Sequence, residues 1–542
     1  MAKTLILGNK NFANCDVIPR DVATLQVTTS SINNEAEIVE FIKSNIPADL
    51  DRIIINVNEI DTALALHIAL RIRFMIFSLK RSSLSAIIFV SESSFETMVD
   101  YSVSSLLLMT KGVYWVNQEE LAIAMENTVP ITPTQYISEF LNLIKIQPKE
   151  AVEGRHSIAN EWGADVLSKV ITSGVKSEFI PLRASSSLYF MYCSVIALNV
   201  GDIDKIINDR PRNFLFENLK ITNNFKYLLI DDEAQKGWSD VLKILMPNAL
   251  ATIYDKKAKT YEDLPQDIRK QIEVGEFDII FLDLRMNGVE EESIINPKEF
   301  SGMKILNSIK EMNPGIQVIM LTATNKGWNV QAMLNAGANG YYMKESPEYH
   351  FPLKYSEQNA KSLYNTILEC LDNSYLQDVY AEIRNVSLPT DLDISYDIIE
   401  QLKLAFNLIV KAKSYNEIAF SYIALEQVLE ICSSHFITKT WVNNCFEYIF
   451  TENSDRCYNY NEDNTSDGYL FKKRGEKEVP QWKKIVAIYY QLFEGVSNDF
   501  ASKIYKLVDL RNQYIHKKND TITKDDFRDL FEEIIKLLSV IK

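Results

Sequence analysis

The chain has 542 residues, of which 46% are hydrophobic and 24% charged, and its formal net charge is −16. That length exceeds what one hydrophobic core supports and predicts three or four domains. The acidic balance excludes a generic nucleic-acid coat, so any RNA contact has to come from a local basic site.

The first residues, MAKTLILGNKNF, lack a signal-peptide pattern. Over residues 1–147, apolar runs at Thr4–Leu7, Arg52–Val57, Ser85–Val90 and Val113–Val116 predict strands, and Ala36–Ile46 and Thr62–Leu79 carry helical periodicity. Such alternation predicts a parallel α/β domain. Its strand ends carry Asn56, Asn58, Ser91 and Asn117, which is no catalytic set. The order of elements resembles a degenerate receiver domain without its carboxylates.

Residues 148–222 read as a helical connector, clearest at Ser157–Thr172. The apolar run Ser187–Val200 is too short to span a bilayer and predicts a buried helix. Asn208–Asn213 reads as an exposed connection, and His156 as a cap or surface group.

At residues 223–372 the pattern changes. Strand-like runs end in Asp231-Asp232-Glu233, in Asp283, in Thr322-Ala323 and in Lys344. In a parallel sheet the C-terminal strand ends open onto one crevice, so these side chains converge there. Clustered carboxylates repel one another unless a cation sits among them, and oxygen ligands favour Mg²⁺. Asp283 is then a nucleophile on phosphorus, with Thr322 and Lys344 bonding the transferred oxygens. The motifs LLIDDE, IIFLDLRM, VIMLTAT and AGANGYYMKES resemble the response-regulator receiver family. The resemblance implies a doubly wound fold and phosphorylation of Asp283 by a histidine kinase or a small phosphodonor. It also implies an Mg²⁺ site from Asp231, Asp232, Asp283 and the Arg285 backbone carbonyl, and switch residues Thr322, Tyr341 and Lys344. Two departures stand out: the long acidic stretch Asn287–Ser301, and Glu345 where the family usually has proline after the lysine.

From residue 376 to 542 the strand pattern disappears. Helical periodicity runs over Tyr396–Ala412, Asn416–Ser433, Lys439–Phe450, Gln481–Phe493, Asp499–His516 and Lys524–Ile541, which predicts an all-α bundle interrupted by a polar loop at Thr451–Pro480. Leu510-Arg511-Asn512-Gln513-Tyr514-Ile515-His516 is the candidate site. Asn512 and His516, four apart, share a helix face, whereas Arg511 lies about 140° from His516. Histidine supplies acid–base catalysis near neutral pH, arginine stabilises a phosphorane-like charge, and Lys517 and Lys518 can hold an RNA backbone. The same residues at a helix C-terminus also serve simply to complement the macrodipole. The R-x4-H pattern in a late helix resembles the HEPN superfamily. That resemblance implies a metal-independent endoribonuclease with Arg511, Asn512 and His516 at a site shared by a homodimer, in stress or antiphage defence. Other HEPN domains are non-catalytic binding modules.

Six scattered cysteines without metal-binding spacing predict reduced thiols of a cytoplasmic protein with no membrane span. His67 and His435 read as packed core-edge groups, and Glu426 as an acid within reach of Arg511. There is no phosphate-binding glycine loop, zinc pattern or nucleophile elbow. The chain thus predicts a multidomain α/β plus all-α protein: a phosphorylation-controlled regulator with an RNA-cleaving output, or an adaptor whose helical domain binds a partner.

Overall fold

The computed structural model describes residues 3–8, 23–25, 34–96, 103–147, 155–172, 187–208, 219–287, 291, 293–349, 351–389, 391–442, 445–450, 479–493, 498–517 and 521–541. The chain divides into two compact units. One comprises Met1–Leu264, Ile279–Leu306 and Val318–Glu369; the other comprises Pro265–Asp278, Asn307–Gln317 and Cys370–Lys542.

The first unit opens with β1 (Thr4–Leu7), β2 (Ala23–Leu25), α1 (Glu35–Asn45), β3 (Arg52–Asn56), α2 (Thr62–Phe74), β4 (Ala86–Val90), β5 (Val113–Val116) and α3 (Leu121–Asn127). The five strands form a parallel sheet in the order β2-β1-β3-β4-β5. Isoleucine-rich β3 and β4 are fully buried at their centres, as strands covered on both faces must be. The helix expected over Thr62–Leu79 is instead broken: α2 stops before Met75, and Ile76–Leu84 follows at 70°. The Tyr136 hydroxyl donates to the Arg73 carbonyl at 2.6 Å, capturing an oxygen near the end of α2. The Arg73 guanidinium is fully buried and donates to the carbonyls of Ser83 (2.7 Å) and Gly112 (3.1 Å).

The connector supplies α4 (Arg155–Ile171), α5 (Leu188–Ile196) and α6 (Val200–Ile207). Met191, Tyr192, Cys193 and Val195 of α5 and Ile203 of α6 join the core of the first sheet, so the apolar run is a core helix. Among the described residues no single helix is long and apolar enough to cross a membrane.

A second doubly wound segment follows: β6 (Lys226–Ile230), α7 (Trp238–Leu245), β7 (Leu250–Tyr254), α8 (Gln266–Val274), β8 (Ile279–Asp283), α9 (Ser301–Met312), β9 (Gln317–Thr322), α10 (Gly327–Asn335), β10 (Gly340–Met343) and α11 (Leu353–Asp372). Its parallel sheet runs β10-β9-β8-β6-β7. Strand order reverses at β6, which places the topological switch point at the C-terminal ends of β6 and β8.

The C-terminal region contains α12 (Leu376–Asn385), α13 (Ser395–Ile409), α14 (Tyr415–Phe436), β11 (Ile437–Val442), β12 (Cys445–Phe450), α15 (Gln481–Leu492), α16 (Asn498–Lys517) and α17 (Lys524–Val540). Its core joins Phe406, Tyr422, Leu425, Leu429, Ile488, Ile504 and Leu530. Thr523 starts α17 with a capping box to Asp526, worth about 1 kcal/mol. The expectation of an all-α bundle is corrected here. Lys439–Phe450, read as a helix, lies in an antiparallel hairpin with Ile437 opposite Phe450 and Thr440 opposite Glu447. Its β-branched and aromatic residues (ITKTWV, CFEYIF) favour a pleated strand over a helical turn. Most of the polar loop expected over Thr451–Pro480 lies outside the described residues.

Candidate functional site

The ends of β6, β8, β9 and β10 bring Asp231, Asp283, Thr322 and Lys344 into one crevice, all four buried. The Lys344 ammonium donates to Asp231 Oδ2 at 2.8 Å and to Asp283 Oδ1 at 2.7 Å. Their other carboxylate oxygens accept backbone N–H groups, Asp231 from Glu233 and Asp283 from Arg285, each at 2.9 Å. Burial alone would lower the Lys344 pKa, but the two carboxylates outweigh it and hold the ammonium above the usual lysine value. The indole of Trp238 lies 5.2 Å from the same nitrogen.

Asp232 is left as the uncompensated acid. Its Oδ1 is buried without a hydrogen-bond partner, and its pKa is pushed up to about 8, first by desolvation and then by Asp283, Asp231 and Glu233. Among the described residues there is no ready-made cluster of three or more His, Cys, Asp or Glu ligands. The crevice instead offers hard oxygen donors and one orphaned carboxylate oxygen, a set that fits Mg²⁺ completing its shell with water or phosphoryl oxygens. Asp231, Asp232, Asp283 and the Arg285 carbonyl are the groups that would hold it. A bound ion would offset the charge of the transferred phosphoryl group.

Thr322 is 1% exposed, and its hydroxyl accepts from the Thr324 N–H at 3.1 Å. Tyr341 is 39% exposed on β10, outside the crevice. A cavity of about 150 Å³ lies over Asp283, lined among others by Thr322, Lys326, Tyr349 and Ala159. The acidic stretch after β8 turns inward at Glu291, whose Oε1 accepts the Ser301 N–H at 3.1 Å at the start of α9. Glu345 is buried and accepts from Ser356 Oγ (2.7 Å) and Asn359 Nδ2 (3.4 Å). It anchors α11 and is remote from any nucleophilic role.

Asn160 of α4 is the residue that sequence reasoning missed. It is fully buried in the crevice: its Oδ1 accepts from Lys344 Nζ at 2.5 Å, and its Nδ2 donates to Glu233 Oε2 at 2.5 Å. No motif marks it; only a buried polar face on an otherwise ordinary helix hints that α4 has a polar partner.

In the C-terminal region, α16 carries Arg511, Asn512 and His516. Asn512 and His516 are exposed. Arg511 is drawn aside, its Nε 3.3 Å from Glu426 Oε2 on α14. Burial raises the Glu426 pKa to about 7 although Arg511 pulls the other way. The Tyr514 hydroxyl donates to Asn416 Oδ1 at 2.8 Å, fixing α16 against α14. The Lys517 side chain and Lys518 lie outside the described residues. His435 pairs with Asp393 at 3.1 Å, in keeping with a packed, hydrogen-bonded histidine.

Comparison with known proteins follows this geometry. Residues 241–351 match the response regulator receiver domain family, a span that includes Asp283, Thr322, Tyr341 and Lys344 but begins after Asp231 and Asp232. Residues 9–116 match the inactive receiver domain family. A 71-residue stretch is 34% identical to the nitrate/nitrite response regulator protein NarP of Escherichia coli K12, covering 13% of this chain and 28% of that protein. The chain therefore spans less than a third of that relative. Among solved structures, a CheY-like receiver domain protein from Methanospirillum hungatei is 21% identical, with 28% of this chain and 97% of that one covered and a TM-score of 0.19. A receiver domain protein from Clostridium thermocellum is 22% identical, with 28% and 98% covered and a TM-score of 0.20. The chain carries a receiver domain and, before it, an inactive-receiver-type domain.

Proposed function

We propose that this protein is a phosphorylation-controlled regulator: a histidine kinase or small phosphodonor phosphorylates Asp283 with Mg²⁺, and the C-terminal domain cuts RNA as a HEPN-type, metal-independent endoribonuclease. The observation that carries the first half is the buried Lys344 bridge between Asp231 and Asp283. It holds the acceptor carboxylate beside a cation able to follow the incoming charge. For the second half, support comes from α16, which presents Asn512 and His516 to solvent with Arg511 one residue from Asn512. An exposed imidazole can take the ribose 2′-hydroxyl proton or return one to the leaving 5′ oxygen. The angular offset of Arg511 on one helix favours a site completed by a second copy, hence a homodimer.

A second reading rests on the ion pair of Arg511 with Glu426, which gives the arginine a packing role and favours a non-catalytic adaptor. The two separate in one assay. The full chain, His516→Ala and Asp283→Ala are incubated with total RNA, with and without acetyl phosphate and Mg²⁺. Fragments ending in 2′,3′-cyclic phosphate that vanish in His516→Ala support the ribonuclease; their absence in every condition leaves the adaptor.

A further inference from the structure

Lys344 has three N–H bonds to give, and all three are taken, by Asp231, Asp283 and Asn160. The third acceptor comes from outside the receiver sheet. A phosphoryl group on Asp283 would draw on this ammonium, the one fully buried lysine or arginine at the crevice among the described residues, whereas Arg285 and Lys326 line the cavity above it without being buried.

Helix α4 is seated there by its backbone as well as by Asn160. A Cβ added at Gly163 would lie 3.1 Å from the Glu345 nitrogen and 3.3 Å from Trp238 Cζ2. Gly237, with φ of +115°, faces Ala164 so closely that a Cβ there would come within 2.9 Å of the alanine methyl. Ala159 forms part of the wall of the cavity over Asp283, and Asp283 itself has no exposed surface. Behind the crevice, α4 packs toward the connector: the rings of Trp162 and Phe190 on α5 lie 5.6 Å apart, with Ile158 in the same cluster. Helix α5 in turn belongs to the core of the N-terminal sheet.

We propose that α4 is an intramolecular lid on the phospho-acceptor site. The Asn160 amide oxygen takes a Lys344 donor that a phosphoryl oxygen would use, so docking of α4 and phosphorylation of Asp283 compete. This deepens the reading of Asp283 as the acceptor and rests on it. Phosphorylation then frees α4 and, through Trp162 and Phe190, changes what the N-terminal domain holds. Conversely, a partner that pulls on the N-terminal domain licenses the acceptor. The degenerate first domain thereby acquires a role that needs no chemistry of its own: through α5 it holds the connector helix that closes the active one.

The test uses the full chain with acetyl phosphate and MgCl₂. In that reaction the bond from phosphorus to the acyl oxygen breaks, a bond to an Asp283 carboxylate oxygen forms, and acetate leaves. Phosphoprotein is quantified on phosphate-affinity gels for wild type, Asn160→Ala, Gly163→Phe and Asp283→Asn. Losing two charge-assisted hydrogen bonds from Asn160, or wedging α4 away at Gly163, should raise the initial rate by about tenfold or more. In wild type, hydrogen exchange over residues 158–171 should rise on phosphorylation. Equal rates in wild type and both lid variants, with Asp283→Asn unlabelled, would overturn the lid and leave the acceptor standing. No label in any chain, or label that persists in Asp283→Asn, overturns the acceptor reading and the lid with it. Asn160→Ala removes only an amide from a helix, so a folding failure of Gly163→Phe leaves the comparison intact.

Discussion

At the scale of single residues, the balance of charge around Lys344 dictates what substitutions do. Two carboxylates with no exposed surface share one ammonium, and removing it leaves both buried without their cation. Lys344→Met should lose about 3–5 kcal/mol of stability, the cost of breaking a buried pair from one side. Urea unfolding of Lys344→Met and of Lys344→Met/Asp283→Asn checks this: the second change should restore part of the loss, since one stranded charge is gone. Glu426 offers a pH-dependent counterpart. Its pKa is raised from the usual carboxylate value of 4.5 to about 7 by burial. Between those values the folded state binds more protons than the unfolded one, so stability falls as pH rises from about 4.5 to 7 and is flat above. Glu426→Gln should flatten that fall by about 2–3 kcal/mol, read as the difference in urea midpoints at pH 5 and pH 8. Parallel profiles for the two chains would contradict the burial argument.

At the scale of elements, the acceptor's position depends on how α9 starts. Gly302 in its first turn lies so near the end of β8 that an added Cβ would sit 2.1 Å from the Asp283 carbonyl oxygen. The Ser301 hydroxyl accepts the Met286 N–H at 2.8 Å, closing the same loop. Gly302→Ala should therefore cost about 1–3 kcal/mol and slow phosphorylation of Asp283 even though no reacting group changes, as paired melting curves and phosphorylation rates would show. Elements of this kind were legible where the sequence carries a long apolar run closed by a chemical residue. β6, β8 and β9 end within a residue of where the sequence places them, because strands buried on both faces read as continuous aliphatic runs; β10 (GYYM), an edge strand with Tyr341 exposed, was marked instead by the Lys344 that follows it. β7 (LATIY) was not foreseen: it is an edge strand whose first two residues are exposed, so its text lacks that signal. The β11–β12 hairpin was misread because an aromatic and β-branched run next to a long helix fits either period over a short window. The contact of Asn160 with Lys344 spans 184 positions, and no local pattern encodes a pairing that long-range packing alone creates.

At the scale of the whole molecule, the proposed function requires that one state of Asp283 change the affinity of the C-terminal helical domain for RNA. Such control is a coupling free energy and has to be reciprocal for binding. Beryllofluoride with Mg²⁺ is a reversible stand-in for the phosphoryl group at Asp283, so both arms of the cycle can be measured at equilibrium. On the proposed mechanism His516→Ala removes turnover while leaving Arg511 and its Glu426 partner in place, which makes it the chain for this measurement. If saturating beryllofluoride changes the RNA dissociation constant by a factor α, saturating RNA must change the beryllofluoride dissociation constant by the same factor. A factor between about 5 and 150, or about 1–3 kcal/mol, is the range in which such couplings fall. Asp283→Asn should bind RNA with the affinity of the unmodified chain and ignore beryllofluoride. A factor of one in both arms would mean that the receiver state and the α16 site are uncoupled, and phosphorylation would then have to act through another output, such as the N-terminal domain.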